Sequence, residues 1–151
     1  MRENRNLCAN RPSPGHLPTY RSAYRSRIYQ YYVKASTQSI APESIGGLKP
    51  RSHQIKKIIR DHFPQDRSAS ILDLGCGHGA FIHFIREAGY VDVSGIDRSP
   101  QQVAAANRLG VKNVLEGDLV ETLRSLPEQS KDVIITFDVL EHFTAFMTHE
   151  P

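Results

Sequence analysis

Residues 71–81 read ILDLGCGHGAF: a short apolar run carrying one acid, then three glycines on alternate positions. Ile71–Leu74, with a polar segment before it and Gly75 after it, predicts a buried strand. Residues 80–88 predict a helix, closed by Gly89. A strand that turns through glycines into a helix belongs to an α/β sheet, and ligands bind such sheets beyond the carboxyl ends of the strands. Gly75 is free to take a positive φ and turn the chain sharply. Gly77 lets a ligand approach the backbone, and Gly79 lets the helix pack on the strand. The helix start offers N–H groups to an anion.

The same alternation continues downstream. Residues 91–96 predict a second strand. Ser99 and Pro100 are set as N-cap and first helical residue of a helix that stops at Gly110. Residues 111–115 predict a strand, 119–126 a helix ended by Pro127, and 132–137 a fourth strand, with a further helix starting near Glu141. Strand–helix alternation of this kind predicts an α/β, doubly wound parallel sheet.

Upstream the texture differs. Residues 1–20 hold Pro12, Pro14, Pro18 and Gly15 with few apolar side chains, and predict a disordered arm. Tyr24, Ile28, Tyr31, Tyr32 and Val33 recur at helical spacing, an aromatic stripe suited to packing on the main domain or covering a ligand. Residues 41–50, APESIGGLKP, read as a loop. A second helix follows, with Ile55, Ile58, Ile59 and Phe63 on one face and Lys56, Lys57 and Arg60 on the other. The expected division is an arm over 1–20, a helical cap over 21–64 and a cofactor-binding domain over 65–151.

The chain has 151 residues, 39% hydrophobic and 23% charged, enough for one domain with a real core. It has no apolar run of the roughly 18 residues that a membrane helix needs, and no apolar segment of secretory type near its start. Cys8 and Cys76 are too few for a disulfide framework, so a reducing cytoplasm is the expected setting. Residues 1–70 carry 13 Lys/Arg against 4 Asp/Glu, and residues 71–151 carry 6 against 12. The basic half lacks a Lys/Arg cluster of nucleic-acid type, so a solvated face or an intramolecular partner explains it better.

The glycines alone leave the ligand open. GCGHGA fits G-x-G-x-x-[GA] through Gly75, Gly77 and Ala80, a dinucleotide pattern. The segment also fits D-x-G-x-G-x-G through Asp73, Gly75, Gly77 and Gly79. Asp73 favours the second pattern, because a carboxylate at the strand end repels a pyrophosphate and attracts an amine or a sulfonium. Asp97 follows the second strand, where a carboxylate accepts from both hydroxyls of a ribose. Asp118 follows the third, placed to accept from an exocyclic amine, with Leu119 offering an apolar face. Asp138 follows the fourth. Each of these aspartates is also a candidate helix N-cap, Asp118 above all.

DLGCGHGAF, GIDRSP, EGDL and DVIITFDVLEHF resemble, in order and spacing, the successive motifs of class I S-adenosylmethionine-dependent methyltransferases. Among these the small-molecule and ubiquinone-type O-methyltransferases are the most similar subgroup, and the resemblance covers residues 50–143. It implies a Rossmann-like methyltransferase fold and S-adenosyl-L-methionine as cofactor. It implies that Asp73 and the backbone of Gly75, Cys76, Gly77 and Gly79 hold the methionine end, and that Asp97 with Arg98 lies at the ribose. Asp118 and Leu119 would hold the adenine, and Phe137 and Asp138 would line the methyl end. The reaction implied is methyl transfer to a small-molecule acceptor, oxygen more than nitrogen.

Such a displacement needs a nucleophile in line and a base for its proton, and His142 is the candidate base. Asp138, Glu141 and His142 share a helical face at i, i+3 and i+4, a spacing that suits a divalent metal. The family members that bind one carry Glu where this chain has Asp138, so no metal is expected. His78 and His83 are given no catalytic role. The family sheet has seven strands, so this chain is expected to lack the last three and to expose an apolar edge at residues 133–137. A homo-oligomer through that edge is an expected partner, with neither membrane nor nucleic acid. Competing readings are a non-catalytic cofactor-binding module, a nicotinamide-dependent oxidoreductase and a nucleic-acid methyltransferase.

Overall fold

The computed structural model describes residues 41–140. The arm over 1–20, the aromatic stripe from Tyr24 to Val33, and the Glu141 and His142 positions lie outside the described residues.

Ile71–Leu74 forms strand β1, buried along its whole length. Val93–Asp97 forms β2, Val114–Glu116 forms β3 and Val133–Ile135 forms β4. They make one parallel sheet of order β3-β2-β1-β4, a doubly wound, Rossmann-like arrangement. β1 lies inside the sheet and is buried on both faces, as an inner parallel strand is, with Asp73 as its one polar residue. Its register pairs Ile71 with Val93 and with Val133, so these three side chains share one face. Leu72 shares the other with Ile134.

Helices cover the first face. Lys49–His62 forms α1, with Pro50 in its first turn and Ile55 and Ile59 buried. Ala80–Glu87 forms α2, which buries Ala80, Phe81, Ile82, Phe84 and Ile85 and ends before Gly89 at φ 98°. Pro100–Arg108 forms α3, whose first turn is capped by Ser99 accepting from the Gln102 N–H. These helices and the sheet face close one core of buried Ile, Val, Phe and Tyr side chains. Burying each such aliphatic contributes about 1.5–3 kcal/mol. Because Leu48, Ile55, Ile59 and Phe63 belong to that core, packing is continuous across the boundary expected at residue 64.

The second face is barer. Leu119–Ser125 forms α4, which buries none of its residues. Leu115 and Ile134 are 61% and 48% exposed, and Leu123 and Leu140 are also exposed. Among the described residues, β4 has β1 on one side and no strand on the other.

Several boundaries differ from expectation. The loop expected over 41–50 contains a 3-10 helix, Ile45–Leu48, and the start of α1, because Leu48 reaches the core and Pro50 suits a helix start. β2 starts at Val93, since Val91 is 75% exposed. β3 starts at Val114, since Asn113 takes a φ of 61° and breaks the extended run. β4 stops at Ile135, and Phe137 lies in a turn instead of the strand. No helix among the described residues is long and apolar enough to cross a membrane.

Candidate functional site

Because the strands are parallel, their carboxyl ends share one edge, and β1 and β2 deliver Asp73 and Asp97 there side by side. Between β1 and α2 the chain turns through Gly75, Gly77 and Gly79 at φ values of 74°, 55° and 80°. All three lie in the region that favours glycine.

Most of the N–H groups in this turn are used within the protein. Gly75 and Cys76 both donate to the Ile96 carbonyl, at 2.7 and 3.1 Å, and Gly79 donates to the Cys76 carbonyl at 2.9 Å. Gly77 donates to Asp97 Oδ2 at 2.7 Å. The expected supply of donors for an anion is correspondingly smaller, and a pyrophosphate would find few in the turn.

Asp97 is a clamp as well as a surface. Its Oδ1 accepts from the Ser99 N–H at 2.8 Å while Oδ2 holds Gly77. One acceptor position remains on each oxygen. Burial raises its pKa, opposed by those two backbone hydrogen bonds.

Asp73 is not at an open lip, as the sequence suggested. It is 3% exposed, because its position in β1 points it to the helix-covered face. Its carboxylate accepts no hydrogen bond among the described residues. Burial first, and the charge of Asp97 second, push its pKa up to about 7. Leaving an anion buried and unpaired is costly, so the site is set to receive a cation or to hold a proton.

Cys76 is inert as a nucleophile, since burial, with Asp73 and Asp97 adding to it, drives its thiol far above the usual range. Its side chain packs on Gly95 of β2, where an added Cβ would meet Cys76 Sγ at 2.7 Å and also strike Ile82. A glycine inside a strand signals such a close approach, and the GID motif carried that signal.

The remaining candidates divide. Asp118 is the N-cap of α4, with Oδ1 accepting from Val120 and Glu121 at 2.9 and 3.1 Å. Its Oδ2 receives Arg98 Nη1 at 2.7 Å, an ion pair that ties the end of β2 to the start of α4. One acceptor position is left, on Oδ2. Leu119 is half-buried beside it. Phe137 packs on Phe81 of α2, ring centroids 5.2 Å apart. Asp138 is exposed, at a φ of 54° that few non-glycine residues adopt. That turn lays the buried Val139 against Gly75, where an added Cβ would strike it. Among the described residues there is no cluster of three or more His, Cys, Asp or Glu placed to hold a metal.

Two residues that the motifs did not single out also bear on the turn. Gln102 of α3, 4% exposed, lies 3.3 Å from His78 Nδ1 through its Oε1. It is also the nearest neighbour a Cβ on Gly77 would find, at 3.8 Å, an ordinary contact, so no neighbour crowds that position. Arg51, in the second half-turn of α1, is close enough for its charge to act on His78. Nothing in the local sequence marks Gln102 or Arg51, because both act across the tertiary fold.

Residues 48–147 match the family model described as a methyltransferase domain. The ubiquinone biosynthesis O-methyltransferase, mitochondrial, of Candida albicans is 29% identical over 119 residues, covering 75% of this chain and 36% of that protein. The chain thus spans just over a third of that relative's length. Among solved structures, a SAM-dependent methyltransferase from Archaeoglobus fulgidus is 26% identical with a TM-score of 0.45, over 60% of this chain and 42% of the other. One from Thiobacillus denitrificans, in complex with S-adenosyl-L-homocysteine, is 23% identical with a TM-score of 0.44, over 72% and 42%.

Proposed function

The chain belongs to the methyltransferase domain family, and on that premise we propose that it uses S-adenosyl-L-methionine to methylate a small-molecule acceptor, at oxygen in preference to nitrogen. The observation that carries the cofactor is Asp73: a carboxylate 3% exposed, with no hydrogen bond among the described residues, asks for a cationic ligand. The other residues fit the same molecule. Asp97 keeps one acceptor position on each oxygen, which matches two ribose hydroxyls. Gly77 puts no side chain between its backbone and a ligand, and Arg51 supplies positive charge for an amino-acid carboxylate. Asp73, Gly75, Cys76, Gly77 and Gly79 are assigned to the methionine end. Asp97 and Arg98 are assigned to the ribose side, Asp118 and Leu119 to the adenine, and Phe137 and Asp138 to the methyl end.

When bound, S-adenosylmethionine supplies a sulfonium methyl that the acceptor oxygen takes by in-line displacement, the electrons of the broken S–C bond going to sulfur. The residues of the chain then have two tasks: to fix the donor, and to remove the acceptor's proton. We assign the second to His142. Residues 65–151 are read as the cofactor-binding unit and 21–64 as its helical cap. A free thiol at Cys76 suits a reducing compartment, and the cytoplasm is the one we carry. A second copy of the chain, paired through β4, is the proposed partner besides the substrate; membrane and nucleic acid are not included.

Calorimetric titration of the full chain with S-adenosylmethionine, S-adenosylhomocysteine and NAD tests the cofactor. Micromolar binding of the first two, lost in Asp97→Ala, is expected. Binding of NAD in their place would sink the reading.

A further inference from the structure

The glycine turn holds a histidine whose ring is gripped from another helix. His78 Nδ1 faces Gln102 Oε1 at 3.3 Å, and Gln102 is buried at 4% exposure with its own N–H tied to Ser99 Oγ. The same segment, Asp97 to Gln102, thus holds the turn twice, once at Gly77 through Asp97 and once at His78 through Gln102. With the Gln102 oxygen as acceptor, Nδ1 carries the ring hydrogen, and a neutral ring then has a lone pair on Nε2.

We propose that His78 is a cofactor-binding residue whose Nε2 accepts a hydrogen bond from the ammonium of the methyl donor's amino-acid end, and that Gln102 is the positioning residue that fixes its tautomer. This rests on the methyl-donor reading above. The turn is where that reading puts the amino-acid end, and it directly follows the strand that carries the buried Asp73 carboxylate, the group that reading assigns to the same end. Charged groups act on the ring from two elements, Arg51 from α1 and Asp97 from the end of β2. Burial first, then Arg51, depress the His78 pKa, while Gln102 and Asp97 oppose them. The ring is therefore held toward its neutral form, with Nε2 an acceptor, more strongly than an ordinary histidine. On protonation Nε2 becomes a donor on a cation, and affinity for an ammonium falls.

The measurement is affinity of the full chain for S-adenosylmethionine across pH, by calorimetry, with the His78 ring titrated by NMR in the same samples. Protonation of Asp73 and of Asp97 also weakens binding as pH falls, so variants must single out the His78 step. Wild type should show, below the loss that belongs to Asp73, a lower step in affinity that tracks the NMR titration of His78. His78→Asn keeps a donor for Gln102 but has no Nε2. It should bind about tenfold more weakly at pH 8, as expected for one lost hydrogen bond to a charged group, and lack the lower step. Gln102→Glu keeps an acceptor and stabilises the imidazolium, so the lower step should move to higher pH. A role in folding alone would not move it. A His78→Asn profile superimposed on wild type, or a step unmoved in Gln102→Glu, overturns the inference while leaving the cofactor in place. Absence of binding by folded wild type at pH 8 overturns the cofactor reading and this inference together.

Discussion

At the residue scale, Asp73 couples folding to pH. Its ordinary pKa is 3.8, and in the folded chain it is about 7. Between those values the folded protein holds a proton that the unfolded chain has released. The stabilisation is complete below the lower value and is lost as pH rises through the upper one. Stability of the ligand-free chain should therefore decline across that window, by up to about 1.4 kcal/mol per pH unit. Asp97 is raised as well and adds in the same sense. Urea unfolding at several pH values in the window should show the slope, and Asp73→Asn should flatten much of it. An unchanged slope in the variant would mean that Asp73 ionises normally. Asp97→Ala removes the acceptor of two backbone N–H groups, at Gly77 and Ser99. It should cost about 1–3 kcal/mol of stability as well as cofactor affinity, so the affinity loss must be read on a sample shown to be folded by circular dichroism.

At the element scale, the turn and the strands depend on specific absences of side chain. Gly75→Ala meets two penalties, a φ of 74° and a collision with Val139. Gly110→Ala meets only the first, since its φ is 76° with no atom within 4 Å of the added Cβ. The expected costs are about 1 kcal/mol at Gly110 and about 2–4 kcal/mol at Gly75. Equal costs would show that Val139 yields without penalty. Ser99→Ala removes the cap of α3 and should cost about 1 kcal/mol. These features were unequally legible. Ser99-Pro100 announces its helix locally, and the structure has the cap where the dipeptide puts it. Val139 against Gly75 could not be read, because it depends on a positive φ at Asp138 that spacing alone does not announce and on a contact across 64 residues. β3 and β4 are shorter than the apolar pattern predicts because Val111 and Phe137 are apolar for core packing, not for strand pairing.

At the scale of the whole molecule, one face of the sheet is closed by helices and the other carries exposed Leu115 and Ile134, with Leu123 and Leu140 exposed outside the strands. Edge strands of this character invite pairing. If a second copy covers β4, sedimentation should find a dimer that dissociates with dilution, and Ile134→Lys should give a folded monomer. A wild-type monomer at high concentration would remove that partner. By itself, the sequence determined the α/β alternation, the glycine turn at a strand end and the row of aspartates at one edge. These follow from backbone geometry and spacing between near neighbours. Tertiary structure decided what surrounds each aspartate, although the cap made by Asp118 was legible locally. Asp73 is buried, Asp97 clamps Gly77, and Asp118 is shared between a helix cap and Arg98, a partner 20 residues away. Gln102 reaches His78 across 24 residues. Burial, pKa and partners arise from contacts between segments distant in the chain, and no local pattern encodes them.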